Sequence, residues 1–204
     1  MAFNMVTRKY RLSFTEPQNG TAPQNKEIYS DYIAAKAPNP EEIIDEELET
    51  LSASDMIEKG TTVFHRDENG EPILMDYHIR GFMKSAMGAL KNVPKTESSK
   101  IKAYKKKVDT GIFVFPRHIP IKDYGEITIL ERPLRAQTAQ GERVSLARSE
   151  QIGAGAKIEI EIGFFEGSEN WELIEEILDY GAFNGIGQWR NASYGRFTWE
   201  EIKE

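Results

Sequence analysis

The segment DYHIRGFMKSAMGALKNV, residues 76–93, has the clearest periodicity in the chain. Its apolar side chains recur at spacings of three and four residues, which is typical of an amphipathic helix. The members of this apolar face are Ile79, Phe82, Met83, Ala86, Met87 and Leu90. Arg80, Lys84 and Lys91 fall outside it. The segment therefore predicts a helix with one buried face and a cationic exposed side.

Alternating segments on either side of this helix predict strands. MVTRKYRLSF (5–14) opens the chain in this way, and AKIEIEIGFF (156–165) places isoleucines on one face and glutamates on the other. TGIFVFPRHIPI (110–121) predicts a strand broken by Pro116, and SYGRFTWEEI (193–202) a closing strand. SENWELIEEILDYGAF (168–183) predicts a second amphipathic helix that stops near Gly181. We expect its inward residues to be Trp171, Ile174, Ile177 and Leu178.

The predicted elements follow the order strand, helix, strand, strand, helix, strand. This βαββαβ order is typical of ferredoxin-like and RNA-recognition-motif folds. We therefore predict an α+β fold with the helices on one face of an antiparallel sheet, and a long hairpin or arm over residues 126–152. We expect a single domain over 1–204, with an insertion at 15–60 that contains an acidic helix. A basic segment and the arm occupy 95–152.

Composition limits the chemistry. The chain of 204 residues has no cysteine, which excludes disulfides, thiolate catalysis and cysteine-ligated metals. The N-terminal segment lacks an apolar leader, and no run is long enough to span a membrane. We therefore expect a cytoplasmic protein. The net charge of −7 argues against a surface that coats nucleic acid over its whole extent.

The charges are unevenly distributed along the chain. Residues 41–58 hold eight acids and no base, whereas residues 100–107 hold five lysines and no acid. Asn39 and Pro40 suit the start of a helix in the acidic stretch. A solvated face is the ordinary interpretation of each charge run.

Motifs for catalysis and cofactor binding are lacking. The sequence has no nucleophile elbow, phosphate-binding P-loop, dinucleotide fingerprint or paired-histidine metal motif. The turn at Asp67–Gly70 is either a plain β-turn or a weak cation site, and the turn is the simpler interpretation. We predict no catalytic residue, no metal and no cofactor.

The loop GIGQWRNASYGRF, residues 185–197, concentrates features suited to single-stranded nucleic acid. Its glycines permit close approach of the backbone to a ligand. The guanidinium groups of Arg190 and Arg196 can form paired hydrogen bonds with phosphates. Trp189 and Tyr194 supply aromatic faces that stack on bases or pack inside the protein. The pattern leaves open whether Trp189 belongs to the core or to a binding surface.

Three blocks in this order resemble the RAMP superfamily, the RNA-binding backbone subunits of CRISPR effector complexes. TTVFHRDENGEPIL (61–74), followed by DYHIRGFMKSAMGAL (76–90), resembles the turn of that family and the helix into which it leads. GERVSLARSEQIGAGAKIEIEI (141–162) and the loop at 185–197 resemble its later segments, of which the last lies close to bound RNA. The block PLRAQTAQGERV (133–144) resembles phage-encoded relatives. The resemblance implies a modified RNA-recognition-motif fold.

The resemblance also implies roles for individual residues. Arg80 and Lys84 would hold phosphates at the first helix, and the arm around Arg135 and Arg143 would splay bases or reach a neighbouring copy. A tracking loop for the nucleic-acid backbone would comprise Gly187, Arg190, Asn191 and Arg196. Trp189 or Tyr194 would stack.

The chain departs from the family at two positions. Asp76–Ile79 replaces a proline and paired serines at the helix start, and Thr61 or a neighbour stands where some members carry a catalytic aspartate. We therefore predict a non-catalytic protein that binds single-stranded RNA, or DNA, in a homo-oligomer or a CRISPR-type ribonucleoprotein.

Two alternatives remain. The chain could be a phage or mobile-element protein that blocks defence by binding a host CRISPR complex, or a metal-dependent ribonuclease using Asp45, Glu46 and Asp55.

Overall fold

The computed structural model describes residues 4–24, 61–138 and 141–203, with the backbone alone for 134–138 and 141–146. The strands are β1 (Met5–Phe14), β2 (Gln18–Asn19), β3 (Ala22–Pro23), β4 (Thr61–Val63), β5 (His65–Arg66), β6 (Pro72–Met75), β7 (Phe113–Phe115), β8 (His118–Pro120), β9 (Ile127–Thr138), β10 (Gly141–Ile152), β11 (Lys157–Phe165) and β12 (Phe197–Ile202). The α-helices are α1 (Asp76–Leu90), α2 (Tyr104–Gly111) and α3 (Trp171–Asp179). The predicted acidic helix at 41–58 lies outside the described residues.

The central sheet has four antiparallel strands in the order β12–β1–β11–β7. If the four strands of the predicted βαββαβ pattern are numbered along the chain, their order across this sheet is 4–1–3–2. Strand β11 lies between β1 and β7, which are joined through α1, so the unit is a split βαβ. The predicted ferredoxin-like α+β fold is confirmed.

Strand alternation divides the two faces of this sheet. Tyr10, Leu12 and Phe14 of β1 are buried, and their neighbours on β11 include Ile158 and Ile160. The opposite face carries paired charges, such as Arg11 with the Glu159 and Glu200 carboxylates. Since successive side chains of a strand point to opposite faces, one face packs on the helices and the other remains polar.

Helices α1 and α3 cover the apolar face of the sheet. Helix α1 buries the predicted residues Ile79, Phe82, Met83, Ala86 and Met87. In α3 the Asn170 side chain accepts a hydrogen bond from the Leu173 backbone N–H at 3.0 Å, which caps the first turn. The buried residues of α3 are Leu173, Ile174, Ile177 and Leu178.

Trp171 packs against the core, as expected, but less completely than the other inward residues of α3. Trp171 is the first residue of α3 and is only half-buried, because its ring lies at the edge of the core against Phe164. The Arg8 guanidinium covers it at 4.5 Å from the ring centroid. Leu173 is also buried, although the sequence did not assign it to the inward face.

Two further elements differ from the predicted ones. The lysine run enters helix α2, which the sequence did not predict because Val108 is its one buried residue. Strand β12 begins at Phe197 instead of residue 193. Ser193 and Gly195 have φ of 74° and 71°, and left-handed residues interrupt an extended strand.

The predicted hairpin is confirmed as β9 and β10, each of 12 residues. The end of β10 pairs antiparallel with β2 and parallel with β4. In the described residues the remainder of this ribbon pairs with no third strand. Arg135 is opposite Val144 and Arg143 is opposite Ala136 in its backbone register. Their side chains lie outside the described part of the chain.

The turn after β5 is held by a side chain. The Asp67 Oδ1 atom accepts hydrogen bonds from the backbone N–H groups of Asn69 and Glu71, each at 2.8 Å. This favours the plain β-turn interpretation of the segment. Among the described helices, none is long and apolar enough to cross a membrane.

Two glycine substitutions test this packing. A Cβ atom at Gly181, after α3, would overlap the Phe197 ring, whereas Gly81 in α1 has open space around it. We expect Gly181→Ala to lower the free energy of unfolding by about 1–3 kcal/mol through overpacking. Gly81→Ala should raise it by about 0.5–1 kcal/mol through helix propensity. Urea unfolding measures both, and equal effects would contradict the packing described.

Candidate nucleic-acid interface

The loop between α3 and β12 is closed at its base by backbone contacts. The Ile186 N–H donates to the Gly195 carbonyl at 3.0 Å, and the Gly195 N–H donates to the Pro17 carbonyl at 2.8 Å. A Cβ atom at Gly185 would collide with the backbone of residues 194 and 195. We call this closed base, formed by Gly185, Ile186 and Gly195, the neck of the loop. Glycine is required at position 185 because two backbones approach closely there.

A buried amide fills the space beneath the neck. Gln18 is fully buried, and side chains at Gly187 or Gly195 would collide with its amide. The Gln18 Oε1 and Nε2 atoms have no hydrogen-bond partner among the described residues. Arg196 lies in the same neck, where its carbonyl accepts the Thr15 N–H at 2.9 Å. Its Nε atom is buried and has no partner within the described part of the chain.

The loop tip has a strained backbone. Trp189 and Ser193 have φ of 54° and 74°, and they flank a single 3₁₀ turn over Arg190–Ala192. Residues other than glycine rarely adopt this left-handed region, and each costs on the order of 1 kcal/mol. The closed neck fixes both ends of the segment that carries this strain.

The Trp189 side chain is not part of the core. It is half-buried, and its ring meets the Tyr194 ring edge-on at 5.9 Å between centroids and 69° between planes. Trp189 lines a surface groove of about 530 Å³. The tryptophan is therefore positioned to contact a ligand.

The groove combines the loop with the base of the hairpin. Its lining residues are Arg132, Gly187, Gln188, Trp189, Arg190, Asn191 and Ala192. Two guanidinium groups and one indole thus border the same space. The Gln188 Oε1 atom accepts a hydrogen bond from the Thr62 hydroxyl at 3.4 Å. The same hydroxyl lies 2.9 Å from the Ser149 hydroxyl, so β4 and β10 support the groove.

A histidine joins the loop region to the start of α1. The Met75 backbone N–H donates to His78 Nδ1 at 3.1 Å, which leaves Nε2–H to donate to the Thr21 hydroxyl at 3.0 Å. The Thr21 side chain in turn lies next to Gly187. Burial lowers the pKa of His78 to about 4, and the neighbouring His65 adds to this effect while Asp76 opposes it.

All three histidines of the chain lie near this point. The His65 and His78 ring centroids are 5.8 Å apart, and the Tyr77 hydroxyl is 2.9 Å from His65 Nε2. Burial, followed by the influence of His118, lowers the pKa of His65. In the described residues there is no group of three or more histidines and carboxylates that could hold a metal ion.

Arg80 and Lys84 lie on α1, as the sequence predicted, but away from the groove. Neither lines the groove, and each is paired with an acid of the protein. Arg80 Nη2 lies 2.6 Å from an Asp76 oxygen, and Lys84 Nζ lies 2.5 Å from an Asp109 oxygen. Their charges are already partly neutralised, and phosphate binding by these two residues stays a prediction.

The other predicted residues divide into three groups. Gly187, Trp189, Arg190 and Asn191 line the groove, and Tyr194 supports the tryptophan ring. Arg196 belongs to the neck. Asp45, Glu46 and Asp55, proposed for the nuclease alternative, lie outside the described residues.

Sequence reasoning missed Gln18, Thr21 and Thr62 as parts of this site. They lie in short segments of mixed composition far from residues 185–197 in the chain. Arg132 carried a signal as one cation of the arm, but its position beside Trp189 depends on the strand register.

The comparisons support the fold. No family model and no curated protein sequence matches the chain. Its structure resembles a chain in the cryo-EM structure of the type III-B Cmr-beta bound to cognate target RNA, with a TM-score of 0.54 and 8% sequence identity. The match covers 98% of this chain and 59% of that chain. At this identity the likeness shows a shared fold, in agreement with the RAMP-like fold expected from the sequence.

The buried histidine predicts how stability depends on pH. The pKa of His78 is about 4 in the folded protein and about 6.5 in the unfolded chain. The unfolded chain therefore binds more protons between these values, and the free energy of unfolding falls as the pH drops through this range. The loss is at most about 3 kcal/mol.

Urea unfolding between pH 4 and pH 7 measures this loss. His78→Asn places an amide oxygen near the Nδ1 position and does not titrate, so its stability should decline less steeply. Carboxylates titrate in both proteins, so their contribution cancels when the free energy of unfolding of His78→Asn is subtracted from that of the unaltered protein at each pH. Identical pH profiles would contradict the role assigned to His78.

Proposed function

We propose that the chain binds single-stranded RNA, without cleaving it, through the groove beside the loop at 185–197. The observation that carries the proposal is that the half-buried Trp189 ring, on a strained and anchored loop, lines the same groove as Arg132 and Arg190. A π face with flanking cations is the combination that single-stranded nucleic acid requires.

Each groove residue has a distinct physical task. The Trp189 ring offers its face to one base, and such stacking contributes about 1–3 kcal/mol per base. Arg132 and Arg190 contact the phosphates on either side. Gln188 and Asn191 provide amide groups for the edge of the base or the ribose hydroxyl. Tyr194 limits rotation of the indole.

Three arguments favour RNA and a non-catalytic role. The sequence blocks resemble RAMP proteins, and the similar chain belongs to a structure determined with cognate target RNA. Thr61, near the position of the family's catalytic aspartate, is buried in β4 and carries no carboxylate. His65 and His78, beside α1, form hydrogen bonds with backbone and hydroxyl groups of the protein, as is typical of histidines with a structural role.

Assembly is a further part of the proposal. The β9–β10 ribbon extends beyond its paired base, and two-stranded ribbons are marginally stable alone. We infer that the ribbon packs on bound RNA, on a neighbouring copy, or on both. The chain would then function in a ribonucleoprotein.

A second candidate is a protein that docks on a CRISPR-type ribonucleoprotein and blocks its action. The observation that favours it is the fold shared with a chain in the structure of the type III-B Cmr-beta. In this case the groove would be dispensable for association.

Substitutions in the groove test the first candidate. We expect Trp189→Ala to weaken binding of single-stranded RNA about 5- to 100-fold, through loss of stacking. Arg190→Ala should weaken binding and make the slope of log Kobs against log salt shallower by about 0.7. Fluorescence anisotropy at several salt concentrations measures both.

Arg117→Ala is the matched control, because Arg117 is exposed at the turn between β7 and β8 and does not line the groove. It should leave the affinity and the slope nearly unchanged. Absence of RNA binding by the unaltered protein at low salt would refute the first candidate. Co-purification with a ribonucleoprotein that persists in Trp189→Ala would favour the second.

A further inference from the structure

A cluster of lysines lies where α1 ends and α2 begins. We call the lysine surface the group formed by Lys91, Lys95, Lys102, Lys105 and Lys106. All five side chains are exposed. The Lys91 ammonium lies 5.6 Å from the Tyr104 ring centroid, which joins the lysine at the end of α1 to the first residue of α2.

Neighbouring lysines have partners within the described part of the chain. Lys100 is paired with Glu97, and Lys84 with Asp109. Lys107 lies over the Phe164 ring at 5.6 Å. Among the described residues, none makes an ion pair with a member of the lysine surface. Within the described part of the chain, the charge of this surface is therefore not neutralised by ion pairs.

Electrostatic repulsion within the lysine surface is unfavourable for the stability of the free protein. Lys105 and Lys106 lie in the first turn of α2, where the helix dipole already places positive charge. Lys102 lies two residues before the helix begins, so three like charges are concentrated at one end of α2. That turn contains no acid and no side-chain cap. Such an unfavourable concentration of like charge is expected at sites where the binding of a ligand compensates for the lost stability.

We propose that the lysine surface is a second contact site for the phosphate backbone of a nucleic-acid strand that leaves the groove. The proposal rests on the proposed function of the groove. Lysine is a point-charge donor for phosphates, and it is depleted in protein–protein interfaces. Val93 is the one strongly exposed large apolar residue of the segment 91–106, so a phosphate chain fits this surface better than a protein does.

The length of α1 sets the distance between the two sites. The start of α1 contacts the loop region through His78 and Thr21, and Lys91 directly follows its last residue. A helix of 15 residues is about 22 Å long. At about 3.4 Å per stacked nucleotide, a strand needs about seven nucleotides to cover this distance. A strand of about four nucleotides would occupy the groove alone.

Strand length separates the two sites experimentally. The probe is single-stranded RNA of about four or about twenty nucleotides, and the variant is the triple change Lys102→Gln, Lys105→Gln and Lys106→Gln. We expect about tenfold weaker binding of the long strand, with a salt slope shallower by about 2. Binding of the short strand should be unchanged. The triple change to arginine should keep the affinity for the long strand.

The matched control is the triple change Lys122→Gln, Lys157→Gln and Lys203→Gln, which alters the net charge equally. Equal weakening by this control would overturn the proposal, and so would an unchanged salt slope for the long strand. Loss of short-strand binding in the lysine-surface variant would also overturn it. The unfolding midpoint of that variant should stay equal or rise, because three like charges are removed.

Failure of the groove proposal gives a different result. If the unaltered protein does not bind the short strand, the groove proposal fails, whereas the long-strand comparison still tests the lysine surface. Capture of an acidic protein by the lysine surface, with no change in long-strand binding, would replace the nucleic acid by a protein partner.

Discussion

The register that places Phe14 opposite Phe197 determines where the candidate interface forms. Strands β1 and β12 are antiparallel neighbours, so the chain leaving β1 and the chain entering β12 meet at one edge of the sheet. The segment containing Gln18 and Thr21 therefore lies against the loop that ends at Gly195. The neck contacts, the seat for the Gln18 amide and the orientation of Trp189 all depend on this pairing. A slip by one residue would turn Phe14 and Phe197 away from the core.

This dependence explains how much the sequence predicted. The alternation in β1 and β11 and the apolar face of α1 each repeat over many residues, so the four-stranded core followed from them. The position of the loop at 185–197 followed from the order of elements. Gln18 did not, because a single polar residue after a strand has no periodicity, and its contact with Gly187 exists only in the folded register. Helix α2 was missed for the same reason, since Val108 alone marks its buried side.

The distribution of charge is compatible with the proposed binding of an acidic ligand by an acidic chain. The net charge of −7 describes the far field, whereas contacts are decided within a Debye length of about 8 Å. On the polar face of the sheet, Lys122 and then Arg11 neutralise the Glu159 carboxylate and lower its pKa. On α1, Arg80 and Lys84 are paired with Asp76 and Asp109. Among the described residues, cations without such partners remain at α2 and beside the groove, so the position and pairing of charges matter more than their total.

The strain at Trp189 is best understood as preorganisation. A tryptophan at φ of 54° is unfavourable in a free loop, and the loop would relax unless both ends were fixed. The backbone bonds of Gly195 to Pro17 and Ile186 fix them, and close contact at Gly185 prevents the neck from opening. The indole is then held at the groove before any ligand arrives. Since ordering a loop on binding costs affinity, a neck that is already closed would favour the proposed binding at the tip.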